Sequence, residues 1–556
     1  MRGMYEEQLM ATSTVIDEAV PPIDPTGVPN LDLVLGGGLI RGTLMILVGP
    51  PGCGKTTLAT QMGFAAARTG RRTLIFTALS ESTSKMLGHL RVYGFYDREL
   101  IGDQVKILSL QQFMSGGLAG TAAEVVAQAR QEQASLVVID GFSGLRAIDP
   151  DPRAARQFLF DIGTTLNLHG ATTIITTEAN VRDPEFFPEA TTADTILGLH
   201  FSVYDERQRR RIEVVKARGE TPLSGLHGLA ISTAGIVISP RLEARVTWAT
   251  REHARQSDPE LEEAEPKEES VAPGGRAAFD LPALDSLVSG GITRATTTVV
   301  IGSGGTGKTL LGLHFALAGV RAGEPVVFLG FHENQRQLLL KADAFNLGAA
   351  LRTALAPGGN LTLIHHAPVE LDPDALADEL LATLDRTGAR RLVVDSIAVV
   401  ERAVTEVSTA RRVQNYLSAL ITVMQARRVT ALFTKETGPL VGAELELETD
   451  LSSGVAENLL WLQGVIYRER FYRVISVLKM RYSPHDLTLR EFTITAPAGI
   501  TVRGPSESGR GVLAGIARQQ DDPRSNIFSA LSGGQTRSGR RRILSPQGDK
   551  SPRSGP

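Results

Sequence analysis

The sequence predicts two tandem α/β domains, each a doubly wound and mostly parallel sheet, with an acidic linker between them and a disordered tail after the second. Three observations carry this. A segment near the N-terminus, Val28 to Leu58, returns as Leu281 to Leu311, an offset of about 250 residues that matches a domain rather than a solenoid repeat. Each copy sets a Gly-rich loop between an apolar strand and the start of a helix. Unbroken apolar runs such as TLMILVG and SLVVID alternate with helical stretches such as TAAEVVAQARQEQ. Unbroken runs are expected of strands covered on both faces, and strand–helix alternation builds a parallel sheet with right-handed crossovers.

The elements follow one order in both copies. VPNLDLVLGGGLIRGTLMILVGPPGCGKTTL and LPALDSLVSGGITRATTTVVIGSGGTGKTLL each read as a short helix, a Gly-Gly turn, an apolar strand, the Gly-rich loop and a helix start. SLVVIDGFSGL (Ser135 to Leu145) is answered by RLVVDSIAVV (Arg391 to Val400), each a β-branched run ending in Asp. ATTIITTE (Ala171 to Glu178) is answered by VTALFTKE (Val429 to Glu436), and RIEVVKARG (Arg211 to Gly219) by RVISVLKMR (Arg473 to Arg481). The same landmarks in the same order, twice, indicate duplication. The chain divides into a flexible N-terminus (1–20), a first domain (21–250), a linker (251–275), a second domain (276–503) and a tail (504–556). The linker contains SDPELEEAEPKEES, acidic and poor in apolar residues, hence solvated. The tail ends in RSGRRRILSPQGDKSPRSGP, a Ser-, Pro-, Gly- and Arg-rich composition expected to be disordered.

At 556 residues the chain exceeds a single core and suits two domains. Hydrophobic content of 42% with 21% charged residues fits a globular protein. The net charge of −3 gives no global attraction to nucleic acid or an anionic membrane. The one cysteine, Cys53, excludes an internal disulfide and a Cys-rich zinc site. Inside the first Gly-rich loop it is expected as a small buried side chain. Met1 to Val20 lacks the apolar core of a signal peptide, and no apolar run reaches membrane-spanning length. The expected compartment is the cytoplasm, with no membrane partner.

GPPGCGKT (Gly49 to Thr56) and GSGGTGKT (Gly302 to Thr309) match the phosphate-loop pattern. Gly49, Gly52 and Gly54, and Gly302, Gly305 and Gly307, let backbone N–H groups curl around a β-phosphate at a helix N-terminus, where the dipole favours anions. Cys53 and Thr57, and Thr306 and Leu310, complete the two binding loops. Lys55 and Lys308 would reach the β- and γ-phosphates of ATP, while Thr56 and Thr309 would hold Mg²⁺. Asp140 and Asp395 end their apolar strands and are the candidates for a second Mg²⁺ ligand, directly or through water. Hydrolysis also needs a carboxylate to orient or deprotonate water. The strands after the phosphate-loop helices end in IFTALSES and VFLGFHEN, which makes Glu81 and Glu333 the candidates.

Together these residues resemble the KaiC-like family, to which the circadian clock ATPases belong, over Thr26 to about Arg503. The resemblance implies two RecA-like P-loop NTPase domains and a homo-hexameric double ring with ATP between neighbouring subunits. It implies a steady ATPase in the first copy and an autokinase and autophosphatase in the second, with signalling or clock proteins as partners. Family members carry two adjacent Glu residues after the strand; here the pairs read Ser80-Glu81 and His332-Glu333. In the second copy the missing Glu matches the family's base for the phosphate-accepting hydroxyl, a role His332 could take because neutral imidazole accepts a proton. The KARG and KMRY segments match the family's Lys-x-Arg finger. That places Lys216 and Arg218, and Lys479 and Arg481, as charges reaching a neighbour's γ-phosphate. The family's phosphorylated pair falls on Ser452 and Ser453.

Two other readings share the fold. A DNA-acting motor of the RecA class would want a basic, aromatic-bearing channel. Aromatics make up only 5% of the chain, and RQRRR (Arg207 to Arg211) is the one basic cluster of the core. Nucleic acid is therefore not expected as a partner. A nucleotide-gated scaffold with little catalysis is the other. LSGGQ (Leu531 to Gln535) spells an ABC-transporter signature but lies in the tail, without the strand that motif needs.

Overall fold

The computed structural model describes residues 22–77, 83–147, 149, 151–182, 187–204, 206–247, 275–437, 456–467 and 470–503. Among these residues each copy carries one nine-stranded sheet. In the first copy the chain runs β1 (Leu44–Val48), α1 (Lys55–Arg68), β2 (Thr73–Thr77), β3 (Val105–Ser109), α2 (Gly117–Gln131), β4 (Leu136–Asp140), α3 (Pro152–Leu168), β5 (Thr172–Thr177), β6 (Thr195–Tyr204), β7 (Arg207–Ala217), β8 (His227–Ser232) and β9 (Gly235–Ser239). The second copy runs β10 (Thr297–Gly302), α4 (Lys308–Arg321), β11 (Val326–Gly330), α5 (Gln335–Ala344), β12 (Leu361–His365), α6 (Pro373–Thr387), β13 (Arg391–Asp395), α7 (Ile397–Val407), α8 (Ala410–Ala426), β14 (Thr430–Glu436), β15 (Asn458–Tyr467), β16 (Arg470–Met480), β17 (Arg490–Thr495) and β18 (Gly499–Val502).

The strand order is β9-β8-β7-β6-β1-β5-β4-β2-β3 in the first sheet and β18-β17-β16-β15-β10-β14-β13-β11-β12 in the second. Adding nine to each strand of the first order gives the second, so the duplication read from the sequence extends to topology. The strands from β6 to β3 are parallel, and β7, β8 and β9 continue the sheet as an antiparallel meander. This is the doubly wound, mostly parallel sheet that the apolar runs imply, in two RecA-like domains.

The strands sort their side chains with period two. All five residues of β1 are buried. Met45 and Leu47 join the cluster of Leu58, Met62 and Phe64 on one face, while Leu44, Ile46 and Val48 join Phe158, Leu159 and Ile162 on the other. In the second copy Val300 meets Leu311 and Phe315, while Val299 and Ile301 meet Leu417 and Leu420. Each fully buried Leu, Ile, Val or Phe contributes about 1.5–3 kcal/mol of transfer free energy. A covered sheet of this kind holds its C-terminal strand ends rigidly, and that is where ligands of open α/β sheets sit.

The two copies are packed together. Residues 242–247 are helical and put Leu242 into the hydrophobic core of the second copy. Asn30 Nδ2 donates to Asp378 Oδ2 at 2.8 Å, and Arg245 pairs with the same carboxylate. Arg207 pairs with Glu370 at 3.1 Å and Glu406 at 3.2 Å, and Arg211 donates to Val407 O at 2.9 Å. Arg207 and Arg211, the two ends of the basic run, thus contact the second copy. Among the described residues no helix is long and apolar enough to cross a membrane.

Candidate active sites

Each phosphate loop leaves the C-terminal end of its central strand and turns into a helix. Gly54 (φ 108°) and Gly307 (φ 94°) cap α1 and α4 in the left-handed region, which glycine enters without steric cost. Gly49 and Gly302 are required for a different reason. A Cβ on either would press into the backbone carbonyl of the neighbouring strand, Leu199 O or Leu462 O. Gly52 and Gly305 share φ +76° with open space where a side chain would stand. That concavity, lined by backbone at a helix N-terminus, fits a phosphate.

Lys55 Nζ donates to Gly49 O and Pro50 O at 2.8 and 3.0 Å, and Lys308 Nζ to Gly302 O and Ser303 O at 2.8 Å each. Each ammonium is therefore held over its own loop. Burial lowers the Lys308 pKa, against the opposing pull of Glu436 and Asp395. Cys53 is fully buried beneath the first loop, and burial pushes its thiol up, away from reactivity. Thr306 fills the same place in the second loop, donating to Ser303 O at 2.8 Å.

Thr56 Oγ1 stands 3.0 Å from both carboxylate oxygens of Asp140. Thr176 holds Asp140 from behind at 2.6 Å, and Thr434 does the same for Asp395. Thr309 is half-buried at the start of α4, one residue after Lys308. A hydroxyl and a carboxylate are hard oxygen donors suited to Mg²⁺, which keeps waters and takes the rest of its shell from phosphates. Among the described residues there is no group of three His, Cys, Asp or Glu side chains able to hold a metal unaided.

Glu333 lies just past β11, whose Gly330 is level with Asp395 across the parallel pair. Its Oε1 forms an ion pair with Lys341. His332 beside it is exposed. Glu81 and its neighbour Ser80, like Ser452 and Ser453, lie outside the described residues.

Lys216 and Lys479 both sit at a β-bulge. In the first copy Lys216 opposes Ile196 while Val214 opposes Leu197. In the second, Lys479 opposes Leu459 while Val477 opposes Leu460. The bulge re-aims the strand at the same point in both. Lys216 Nζ donates to Ala190 O and Lys479 Nζ to Ala456 O, each at 2.9 Å. Arg218 N and Arg481 N close onto Asp194 O and Glu457 O at 3.1 and 3.0 Å. The lysines are level with the middle of the central strand, since Ile196 pairs with Ile46 and Leu459 with Val299, and the arginines follow two residues nearer its start. The arginines therefore lie toward the end of the sheet opposite their own phosphate loops.

The antiparallel strands β7 and β16 also supply residues that sequence reading missed. Arg210 Nε donates to Gly52 O at 3.1 Å, with its guanidinium 5.1 Å from the Phe201 ring. Arg473 Nε donates to Gly305 O at 3.3 Å, with its guanidinium 5.1 Å from Phe471. Matching RIEVVKARG to RVISVLKMR end to end pairs Arg211 with Arg473; the structure corrects this by one residue. Counting back six from each finger lysine finds the equivalent pair in the sequence. Glu178 and Glu436 were legible as strand ends. Glu178 lines a cleft of about 640 Å³ with Gly49, Pro50, His200, Arg211 and Val407. Glu436 Oε1 stands 2.8 Å from where a Cβ on Gly304 would be.

Comparison with known proteins agrees with this architecture. The family model described as "ATPase: KaiC" matches residues 24–243 and again residues 280–507. The chain is 25% identical over 527 residues to the "Circadian clock oscillator protein KaiC" of Picosynechococcus sp., covering 92% of this chain and 95% of that protein. It is 26% identical over 516 residues to the "Circadian clock protein KaiC3" of Synechocystis sp., covering 90% and 96%. The "Circadian clock oscillator protein KaiC" of Thermostichus vulcanus is 25% identical over 506 residues, covering 88% and 91%. With a nucleotide-binding architecture repeated twice and the family match spanning both copies, the chain belongs to the KaiC ATPase family.

Proposed function

We propose that this chain binds and hydrolyses ATP at both phosphate loops and that its second domain also phosphorylates a hydroxyl of its own chain, Ser452 or Ser453. Domain limits of 21–250 and 276–503 go with this reading. Thr56 and Asp140 hold Mg²⁺ in the first site, Thr309 and Asp395 in the second, while Lys55 and Lys308 draw charge from the transferred phosphoryl. Glu81 and Glu333 take the proton of the attacking water, and His332 assists the acceptor hydroxyl.

The observation that carries the reading is the in-register repetition of a complete phosphate site. In both copies the loop lysine folds onto the carbonyl of the first loop glycine, and an arginine of the adjoining antiparallel strands holds the carbonyl of a second loop glycine. Arg218 and Arg481 lie toward the far end of the sheet from their own loops, with Lys216 and Lys479 level with mid-strand, and this supports fingers whose charges serve a neighbouring subunit. A ring of identical chains, in the family's case a hexamer, supplies that neighbour. The relatives are named as circadian clock proteins; for this chain we infer a cytoplasmic signalling ATPase that works with partner proteins. A DNA motor is disfavoured because Arg207 and Arg211, which it would need, are committed to Glu370, Glu406 and Val407.

The test is intact mass over time for the full chain with ATP and Mg²⁺, beside Lys308→Ala. A phosphate-sized gain that vanishes in the variant is expected. ADP release without any mass gain would remove the kinase and leave an ATPase alone.

A further inference from the structure

The environment of Glu333 departs from that of a surface carboxylate. Its Oε1 is taken by Lys341 on α5. Its Oε2 is buried and has no hydrogen-bond partner among the described residues. A buried, unpaired carboxylate oxygen costs free energy unless something donates to it. The oxygen stands just beyond a strand whose last residue, Gly330, is level with Asp395. A water or hydroxyl attacking a phosphoryl group there would supply such a donor.

The geometry follows from how α5 begins. Asn334 and Gln337 form a reciprocal capping box, each side chain bonded to the other's backbone N–H at 3.0 Å. Leu338 and Ala342 bury the inner face of the helix. Residue 341 lies seven positions after the cap, on the same helical face as 334, 337 and 338. Side chains of a helix tilt toward its N-terminus, so the Lys341 ammonium reaches back to Glu333. In the first copy the residue eight beyond Glu81 is His89, where eight beyond Glu333 is Lys341.

We propose that Lys341 is a positioning residue for the second site: it fixes Oε1 of Glu333 so that Oε2 faces the attacking oxygen. This rests on Glu333 being the base of the proposed reaction. In that step Oε2 accepts a proton from water as the water oxygen bonds to the γ-phosphorus. The bond from that phosphorus to the β–γ bridging oxygen breaks, and its electron pair leaves with ADP. Without the pin, Glu333 keeps its charge but samples rotamers that turn Oε2 away, and misplacement of this kind lowers the rate more than binding.

The experiment uses the full chain carrying Lys55→Ala, so that steady turnover reports the second site. Lys341→Met is expected to lower kcat by roughly tenfold or more, with KM for ATP held within about twofold. Lys341→Arg, which keeps a cation that can pair with Oε1, is expected to recover most of kcat. Glu333→Gln is run in parallel and is expected to abolish turnover. If Glu333→Gln is inactive while Lys341→Met keeps full kcat, or changes KM alone, the positioning role is overturned and the base assignment stands. If Glu333→Gln remains active, the base assignment fails and the proposal with it. A Lys55→Ala protein with no turnover also overturns it. Thermal melting accompanies each variant, and Lys341→Gln replaces Lys341→Met if the latter does not fold.

Discussion

Replacing Arg412 with Met should unfasten the two copies from each other. Arg412 lies on α8 and is shared by two carboxylates. Its Nε and Nη2 donate to Glu243 at 2.8 and 3.2 Å, and Nη2 also donates to both oxygens of Asp374 at 2.6 and 2.7 Å. Glu243 belongs to the last helical turn of the first copy and Asp374 to the first turn of α6 in the second. The three side chains are only 10%, 12% and 8% exposed. Burial would raise the Glu243 pKa, but the hydrogen bonds and charge of Arg412 outweigh it and hold it low. Burial wins at Asp374, which is pushed up to about 6 despite the guanidinium.

A raised carboxyl pKa means the folded state binds the proton more tightly. The contribution of Asp374 is therefore fully present below about pH 4 and lost as pH rises through 6, an effect of about 3 kcal/mol. Removing the cation leaves two buried carboxylates facing each other, which costs about 3–5 kcal/mol at pH 8. At pH 5 protonation relieves much of that loss. Adding Glu243→Gln and Asp374→Asn to Arg412→Met should restore most of the stability, because no buried charge is then left unpaired. Urea unfolding of the full chain at pH 8 and pH 5 measures both. A loss below about 1 kcal/mol at pH 8, or one that does not shrink on acidification, would refute the reasoning.

Two further outcomes are expected. Gly49→Ala should lower the melting temperature and abolish nucleotide binding at the first site, because its Cβ meets the Leu199 carbonyl; a fluorescent nucleotide titration in a Lys308→Ala background reads it, and unchanged affinity would count against the close approach. Glu220→Gln should stabilise the protein by about 1 kcal/mol at pH 8 and not at pH 4, a value discounted because the group is only half-buried. Burial raises the Glu220 pKa to about 7 and leaves its Oε2 unpartnered, so its contribution is lost as pH rises through 7. Equal denaturation midpoints for the two proteins at pH 8 would contradict this.

The phosphate-loop pattern, the strand-ending Asp140 and Asp395 and the repeated order of strands were legible because each is a short local pattern. A glycine that must clear Leu199 O, or a lysine that follows it by six residues, is written within one stretch of chain. Arg210 and Arg473 were not legible, since their role arises from strand pairing. An end-to-end match that starts at Arg211 sits one residue out of step, and because both copies carry the bulge at the same place, aligning the finger lysines alone restores Arg210 to Arg473. In the sequence, the run Arg207 to Arg211 is only a basic cluster of the core. Its partners Glu370, Glu406 and Val407 are far away in sequence, and nothing local announces them. Glu243, Asp374 and Arg412 were invisible for the same reason: a buried ionic knot among three distant segments leaves no periodic trace.

The bulged lysines have a consequence for mixed populations. Lys216 is level with Ile46, three residues before the loop glycine Gly49, and its ammonium is held by Ala190 O. On the proposed reading every chain lends its finger to one neighbour and borrows another's. Two chains that are each dead alone, one lacking its finger and one lacking its loop lysine, would then complement when co-assembled. In a random ring of equal parts, about a quarter of the boundaries would join an intact finger to an intact loop. Conversely, a finger-less chain expressed beside the normal one would silence sites it does not itself contain, so a defect of this kind behaves as dominant rather than recessive.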